Sequence, residues 1–360
     1  MLRSRFRRSS GFSLVEIMVG MVIGMFGIMI MLQVFSLAEG QKRSTTSGGD
    51  AQTSGAIALF GIQRDIRQAG LGLTDVKLIA CNLTLRTGVV LNTLAPVTIN
   101  HASIPAGDAN TDTLLVVYGS SNGSPQGDGI TSQSSQAVYL VQTPSSFTSS
   151  LVYATADKVI AAPPSRASPC TLTLDWVVPP AAGANTATAA VNTGVTSMTN
   201  GTLFNVGQSP KVLAYAVRSS NLTQCDYTVN DCSAAGSVND STVWVPIANN
   251  IVSLRARYGR DTNSPMDGIA DVWDRTAMAA MCDVAKVSAI QLALVARSAN
   301  FEKTAVTAST AAANYPTWEG TASASINVTG LTNWQNYRYR VFQSTVPIRN
   351  MAWAGAQSGC

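Results

Sequence analysis

The first third of the chain carries two patterns of hydrophobic and polar residues in succession. Residues 14–37 are almost wholly apolar and contain one acidic residue, Glu16. As a helix, these 24 residues would be about 36 Å long, enough to cross a bilayer. No proline occurs before Pro96. The pattern predicts a long N-terminal helix that ends at about Gly70, since glycine is a common C-terminal cap.

The second half of this predicted helix has a helical periodicity of its own. Its apolar positions are Ile57, Phe60, Ile62, Ile66 and Ala69. We expect this half to pack against the rest of the protein. Two adjacent glycines at 48–49 each cost about 1 kcal/mol relative to alanine, so they favour a bend or local melting.

After Gly70 the pattern changes to short β-rich runs separated by Ser, Gly, Asn and Pro. The predicted strands are 114–118, 137–142, 171–178, 211–218, 242–247, 251–258, 287–297 and 337–348. Three polar segments, 119–136, 181–201 and 303–328, are predicted to be surface loops. The fold class is α+β: a long N-terminal hydrophobic helix followed by a large antiparallel β-rich head.

Charge is unevenly distributed. The formal net charge is +4, but four arginines lie in residues 1–11, and their removal leaves 20 basic and 20 acidic residues. A neutral chain gives no overall reason to expect nucleic-acid binding. A local basic patch remains an alternative, and its candidates are Arg255, Arg257, Arg260, Arg338, Arg340 and Arg349.

The six cysteines have no Cys-x-x-Cys spacing, which disfavours metal binding and thioredoxin-like chemistry. An even number behind an export-type N-terminus favours disulfides. Fifteen pairings are possible, and only Cys225 with Cys232 is indicated by proximity in the sequence.

The N-terminus points to an exported protein. The basic leader is held in the cytoplasm by the positive-inside rule, and the remainder is sent outward. An ordinary signal peptide places small residues after its apolar core, whereas here Gly11 precedes the apolar stretch. Glu16 is anomalous in such a segment, where a carboxylate costs about 1 to 3 kcal/mol and is a functional candidate by default.

The run Gly11-Phe12-Ser13-Leu14-Val15-Glu16 resembles the signature of type IV pilins and type II secretion pseudopilins. The resemblance implies that a prepilin peptidase cuts between Gly11 and Phe12 and methylates the new N-terminus. It also implies that Glu16 pairs with the N-terminal amine of a neighbouring subunit, which would set the axial register of assembly.

Three further segments, 63–70, 254–259 and 339–350, resemble PilW-type minor pilins. This resemblance implies a low-abundance subunit that helps to initiate pilus assembly with other minor pilins and the major pilin, near the tip and beneath a PilY-type adhesin. It implies an inner-membrane protein with a periplasmic head before assembly and an extracellular pilus afterwards. The predicted parts are a leader at 1–11, a transmembrane or filament-core helix at 12–37, its amphipathic continuation at 38–70 and a head at 71–360.

Residues 261–271 form an Asp-rich segment. Asp261, Asn263, Asp267 and Asp271 supply oxygens that suit Ca²⁺, the one cofactor that the sequence suggests. Pro265 and Met266 make the spacing differ from that of an EF-hand loop. The alternative is an Asx-rich turn between two strands, which we favour.

Catalytic motifs are missing. His101 is the only histidine, and there is no phosphate-loop motif. We therefore predict no enzymatic activity. Three alternatives to a minor pilin remain: a type II secretion pseudopilin, a tip-located binding module for DNA, a surface or an adhesin, and an exported enzyme on a pilin-type anchor.

Overall fold

The structure is a computed structural model that describes residues 11, 13–121, 123–307, 316–318, 326–353 and 360. The chain divides into two compact units, Met1–Asp50 and Ala51–Cys360. The boundary between them lies inside the predicted continuation at 38–70. The second half of the N-terminal helix therefore belongs structurally to the head.

Helix α1 (Leu14–Gln68) is continuous over 55 residues. Gly48 and Gly49 are both helical, so the local melting predicted there as an alternative to a bend does not occur. Two glycines cost about 2 kcal/mol together, and an already nucleated helix can absorb that cost because each added residue gains a hydrogen bond. The helix ends two residues before Gly70, which has a positive φ of 81°.

Seventeen strands and two short helices follow α1 among the described residues. In chain order the strands are β1 (Asn82–Arg86), β2 (Val89–Leu91), β3 (Val97–Ile99), β4 (Leu114–Tyr118), β5 (Asp128–Ser135), β6 (Val138–Val141), β7 (Lys158–Ala162), β8 (Thr171–Val178), β9 (Thr188–Val191), β10 (Thr202–Gly207), β11 (Lys211–Arg218), β12 (Asn221–Asp226), β13 (Val245–Asn249), β14 (Ile251–Arg260), β15 (Val272–Asp274), β16 (Val287–Arg297) and β17 (Tyr339–Pro347). The helices are α2 (Met281–Ala285) and α3 (Arg349–Trp353).

The strands form three sheets. Two of them have the orders β13-β12-β11-β4-β3 and β15-β14-β16-β17. The third has the order β2-β1-β8-β7-β10-β5-β6-β9, and β9 also pairs with β8. That extra pairing closes the six strands β5 to β10 into a small barrel. Every pairing is antiparallel except β1 with β8, so the predicted α+β class is confirmed.

The second half of α1 packs against the five-stranded and four-stranded sheets. Its buried stripe contains Ala51, Ala58, Ile62, Ile66 and Ala69. Two residues predicted to share this stripe, Ile57 and Phe60, are 61% and 66% exposed. They lie on the opposite side of the helix because 3.6 residues make a turn, and the core follows the spacing 51, 58, 62, 66 and 69.

The five-stranded sheet is buried on both faces. Along β11, Leu213, Tyr215 and Val217 join the core around α1. The alternate residues Val212, Ala214 and Ala216 join a second core with β1 and β2. The barrel has a third core, which includes Ile130, Tyr139, Val159 and Leu203.

The three polar segments are not simple loops. Residues 119–136 contain β5 and residues 181–201 contain β9, two strands of the barrel wall. In the described parts of 303–328, Trp318 and Ile326 are buried against the outer face of β16. A strand in a small barrel needs only its inward-facing residues to be apolar, so its sequence signal is weak.

Candidate functional site: the N-terminal helix and its anchorage in the head

The predicted processing site lies just before α1. Gly11 is exposed, whereas Phe12 lies outside the described residues. The helix begins with a reciprocal pair: the Ser13 hydroxyl accepts the Val15 N–H, and Glu16 Oε2 accepts the Ser13 N–H at 3.0 Å. Ser-x-x-Glu is the sequence pattern of a capping box. In the uncut chain, the Glu16 carboxylate therefore has a local partner, a role that the sequence analysis missed.

Within the described part of the chain, no side chain of the apolar segment after Glu16 is buried. Between Leu14 and Leu37, every large apolar side chain is at least 50% exposed, and Met31 reaches 76%. Leu14–Lys42 is long and apolar enough to cross a membrane. So much exposed apolar surface needs a partner, whether lipid or other helices. The predicted membrane-like helix therefore has the required length and surface.

Asp65 anchors the second half of α1 in the head. Its carboxylate is only 1% exposed and accepts the Tyr118 hydroxyl at 3.1 Å and the Tyr215 hydroxyl. The Gln224 amide donates to the Tyr215 oxygen at 2.7 Å. Burial raises the pKa of both tyrosines, and the negative charge of Asp65 raises it further. The hydroxyls therefore stay protonated and available as donors.

A buried carboxylate needs such partners because an unpaired one would cost several kcal/mol. Sequence reasoning missed Asp65, although its position carried a signal. It lies next to Ile66 on the stripe that must face the core, where an acidic residue is unexpected without donors on the facing sheet.

The end of α1 is held by the C-terminal part of the chain. The Asn350 amide donates to the Gln68 and Ala69 carbonyls at 3.1 and 3.0 Å. These are among the carbonyls that a helix end leaves without partners. A side chain at Gly55 would overlap the Phe342 ring of β17. Glycine there allows β17 to approach the helix closely.

The Asp-rich loop brings the four predicted ligand residues together, but as a turn. Asp261 accepts the backbone N–H groups of Asn263 and Gly268 at 3.1 and 2.5 Å. The Asn263 amide donates to Asp267 and Asp271 at 3.2 and 3.4 Å. Asp267 also accepts the Ile269 N–H at 2.9 Å.

These donors occupy the carboxylate oxygens that a cation would need. In the described parts of the chain, no group of three or more His, Cys, Asp or Glu residues is arranged to hold a metal ion. As placed, the residues fit the Asx-rich turn better than a Ca²⁺ site. Ca²⁺ binding stays a prediction.

Several members of the predicted basic patch have partners inside the protein. Arg255 pairs with Asp112 at 3.4 Å, Arg260 with Asp274 at 3.0 Å and Arg338 with Glu302 at 3.3 Å. The Arg257 guanidinium lies 4.5 Å from the centre of the Trp318 ring. Four of the six guanidinium groups therefore have structural contacts, which weakens the case for a nucleic-acid surface.

All six cysteines form disulfides: Cys81 with Cys170, Cys225 with Cys232 and Cys282 with Cys360. The second is the pair indicated by sequence proximity. The other two join residues 89 and 78 positions apart, which spacing could not indicate. The Cys81–Cys170 bridge depends on strand pairing, since Asn82, just after Cys81, donates to the Cys170 carbonyl.

His101 is buried and held by the backbone. Its Nε2 lies 2.5 Å from the Asn92 carbonyl, and its Nδ1 accepts the Ser103 N–H at 3.1 Å. Nε2 therefore carries the proton of a neutral ring. Burial lowers the pKa of His101, an effect that the Asn92 hydrogen bond partly opposes. The side chain has a structural role here.

Comparisons with known proteins agree with this arrangement. The model of the prokaryotic N-terminal methylation motif matches residues 6–32, and the model of the type IV pilus-assembly protein W family matches residues 214–350. These matches support a PilW-type type IV minor pilin. The predicted resemblance to this family is thereby confirmed for the later part of the chain and the predicted processing motif for its N-terminus, whereas residues 33–213 lie outside both matches.

A type IV-like pilin, TTHA1219 from Thermus thermophilus, is similar in structure at 15% identity. The alignment covers 54% of this chain and 84% of that one, with a TM-score of 0.24. No curated protein sequence matches the chain.

The matches give the site a functional context. The methylation motif implies processing by a prepilin peptidase and a type IV pilus assembly context. The apolar helix with this motif fits membrane anchoring. The pilus-assembly family is structural. The segment matched by the pilus-assembly model runs from β11 to Asn350. It contains seven strands of the two sheets that pack on α1 and the Asn350 cap, whereas β3 and β4 lie before it.

Proposed function

We propose that this PilW-type chain is a minor pilin of the type IV pilus that helps to initiate assembly. It lies at or near the tip and supports adhesion or twitching motility. Before assembly it is a single-pass inner-membrane protein with a periplasmic head, and after assembly it is part of the extracellular pilus. The observation that carries the proposal is a methylation motif on a helix whose large apolar side chains from Leu14 to Leu37 are all exposed.

The exposed helix supports assembly on physical grounds. Apolar side chains from Leu14 to Leu37 lose their contact with lipid when a subunit leaves the membrane, and neighbouring helices can replace that contact. Ile57 and Phe60 extend the exposed apolar surface onto the part of α1 that belongs to the head. Other minor pilins and the major pilin are the proposed partners, with a PilY-type adhesin above them.

Glu16 is the proposed register device. Cleavage after Gly11 would create a cationic amine at Phe12, four residues before Glu16 on the same chain. A carboxylate within packed apolar helices is stable only when paired, and the amine of a neighbouring subunit would provide that charge. The capping bond to Ser13 uses one carboxylate oxygen and still leaves acceptor capacity for such a pair.

The test replaces Glu16 with glutamine, which keeps the shape and removes the charge. We expect pilus number, counted by electron microscopy, to fall at least 10-fold while the amount of processed protein in the membrane is unchanged. Asp50→Asn is the matched control, since Asp50 is an exposed carboxylate on the same helix. Normal pilus number in Glu16→Gln cells would contradict the register role.

Processing is tested separately by intact mass. The mature chain should begin at methylated Phe12, and Gly11→Ala should leave the leader attached. Deletion of the gene then separates the two assembly systems. Loss of pili with normal protein secretion supports the minor-pilin role, whereas loss of secretion with normal pili indicates a type II secretion pseudopilin.

A further inference from the structure

The barrel closes incompletely, and the gap follows from the sequence. Strands β8 and β9 pair only at Val177 with Val191 and Val178 with Ala190. The next hydrogen-bonded pair would join Pro180 to Thr188. Proline has no N–H to donate, and the Thr188 N–H donates to the Asn185 carbonyl at 3.0 Å instead. The two strands therefore separate at this end of the barrel.

A pocket of about 340 Å³ lies where they separate. Its floor is apolar and includes Val177 and Ala189 from the barrel core, with Phe147 packed beside them. Its rim carries four hydroxyl side chains: Ser145, Ser149, Thr186 and Thr188. Two prolines, Pro144 and Pro180, complete the rim with rigid backbone. A mixture of apolar walls and a few polar groups, at the mouth of a barrel, is typical of ligand sites.

The pocket has no charged side chain in its lining. Two charged side chains on β8 and the neighbouring strand β7 have partners elsewhere. Asp175 accepts the N–H groups of Trp176, Thr193 and Gly194. Lys158 donates to three backbone carbonyls at 2.5 to 3.0 Å. A charged ligand would lose its hydration without gaining a counter-charge, so the pocket selects for an uncharged one.

An exposed apolar loop adjoins the pocket. Leu151 is 85% exposed and Val152 is 59% exposed. The loop is fixed beside the pocket because the Ser150 N–H donates to the Val177 carbonyl at 3.1 Å. Adjacent exposed apolar side chains of this kind are typical of protein interaction sites. Together, the loop and the pocket form one uncharged surface of apolar and hydroxyl groups.

We propose that the pocket between β8 and β9 binds an uncharged, largely apolar peptide segment of a partner protein. Apolar side chains of the segment fill the pocket and cover the Leu151–Val152 loop, and its backbone amides bond to the rim hydroxyls. A peptide supplies apolar side chains and backbone hydrogen-bonding groups in alternation, which matches an apolar floor under a hydroxyl rim. The proposal concerns the head alone and holds whether or not the chain has the proposed role in assembly.

The experiment uses the full chain in detergent and ligand-observed NMR. The probes are a pool of capped pentapeptides of valine, leucine, alanine, threonine and proline, the same peptides with glutamate or lysine in place of threonine, and the neutral sugar maltotriose. We expect the neutral peptides to bind with a dissociation constant below about 1 mM. The charged peptides should bind at least 10-fold more weakly, and maltotriose should not bind.

Variants locate the binding. Ser149→Trp and Thr186→Trp each fill the pocket from an exposed rim position and should weaken binding at least 10-fold. Ser165→Trp is the matched control, since Ser165 is exposed and lies outside the pocket lining. Thermal unfolding of all three variants checks that the barrel is intact. The proposal would be overturned if the neutral peptides did not bind, if the charged peptides bound equally well, or if maltotriose were preferred. It would also be overturned if neither rim variant affected binding.

Discussion

The two β-rich parts of the head differ in what they are built around. The four-stranded and five-stranded sheets pack against one side of the second half of α1, and a buried carboxylate with two tyrosine hydroxyls fixes the helix there. The barrel formed by β5 to β10 encloses only its own strands and opens into an uncharged pocket. The PilW match covers seven strands of the first region and no strand of the barrel.

This difference separates two requirements. A helix that joins the head to an assembly needs a specific attachment to that head. Asp65 provides one, because a buried charge tolerates few alternative arrangements of its partners. A binding module needs a surface that can vary without disturbing that attachment. The barrel meets this need, since its core is separate from the core around α1. The predictions below test whether the two regions respond independently.

The largest loss of stability is expected when the disulfide between Cys81 and Cys170 is removed. This bridge closes a long loop that contains β1 to β7. Replacing both cysteines with alanine should lower the free energy of unfolding by about 4 kcal/mol, because the unfolded chain regains much conformational entropy. Hydrogen exchange should show reduced protection of the backbone amides in β1, β2 and β8.

The matched control is the Cys225–Cys232 bridge, whose loop spans seven positions. Its removal should cost about 2 kcal/mol on the same entropy argument. Equal losses of unfolding free energy for the two bridges would contradict the entropy argument. Faster hydrogen exchange in α1 when Cys81 and Cys170 are replaced would contradict the independence of the two regions.

Asp65→Ala should lower the free energy of unfolding by about 3 kcal/mol. Two buried tyrosine hydroxyls lose their acceptor, and each unsatisfied group costs about 1 to 3 kcal/mol. Denaturant unfolding measures the loss of free energy. Hydrogen exchange should show reduced amide protection in α1, β4 and β11. Arg64→Ala is the control, since the Arg64 side chain is 65% exposed and its pair with Asp65 is worth less than about 1 kcal/mol. Similar losses for the two variants would exclude Asp65 as the anchor.

Asn350→Ala should cost about 1 kcal/mol, because the last carbonyls of α1 lose two hydrogen bonds. The adjacent exposed Arg349 is a suitable control, and its replacement with alanine should change the free energy of unfolding little. Protection against hydrogen exchange should decrease at the end of α1 in the first variant alone. The helix cap would be disproved by unchanged protection in Asn350→Ala.

The smallest expected effect is the pH dependence of stability that His101 causes. Burial lowers the pKa of His101 below its ordinary value of 6.5, so the folded state favours the neutral ring. The resulting stability is present above pH 6.5 and is lost as the pH falls through the lower folded pKa. NMR titration of the single histidine measures that pKa. In His101→Gln, the unfolding free energy should depend less on pH between 7 and 5, and an unchanged dependence would refute this linkage.

Elements with a strong pattern were predicted well. The predicted bounds of β4, β8, β11 and β16 agree with the structure because these strands are long or continuously apolar. The short barrel strands β5 and β9 were missed, since their polar outward-facing residues resemble those of a loop. The same distinction applies to the site residues. The motif from Gly11 to Glu16 is a run of neighbouring residues and can be recognised in the sequence. The anchoring role of Asp65 can be recognised only in the fold, where Tyr118 and Tyr215 lie beside it.

Residue patterns along the chain were enough to predict the long helix, the processing motif, the resemblance to pilus-assembly proteins and the α+β class, because each depends on residues close together in the chain. The three-dimensional fold was needed to show which face of α1 is buried, how Cys81 and Cys282 pair, and that β8 and β9 close a barrel with a pocket in its wall. These features depend on contacts between residues tens of positions apart. Local periodicity and propensity carry no information about such contacts, because they arise only when several elements pack together.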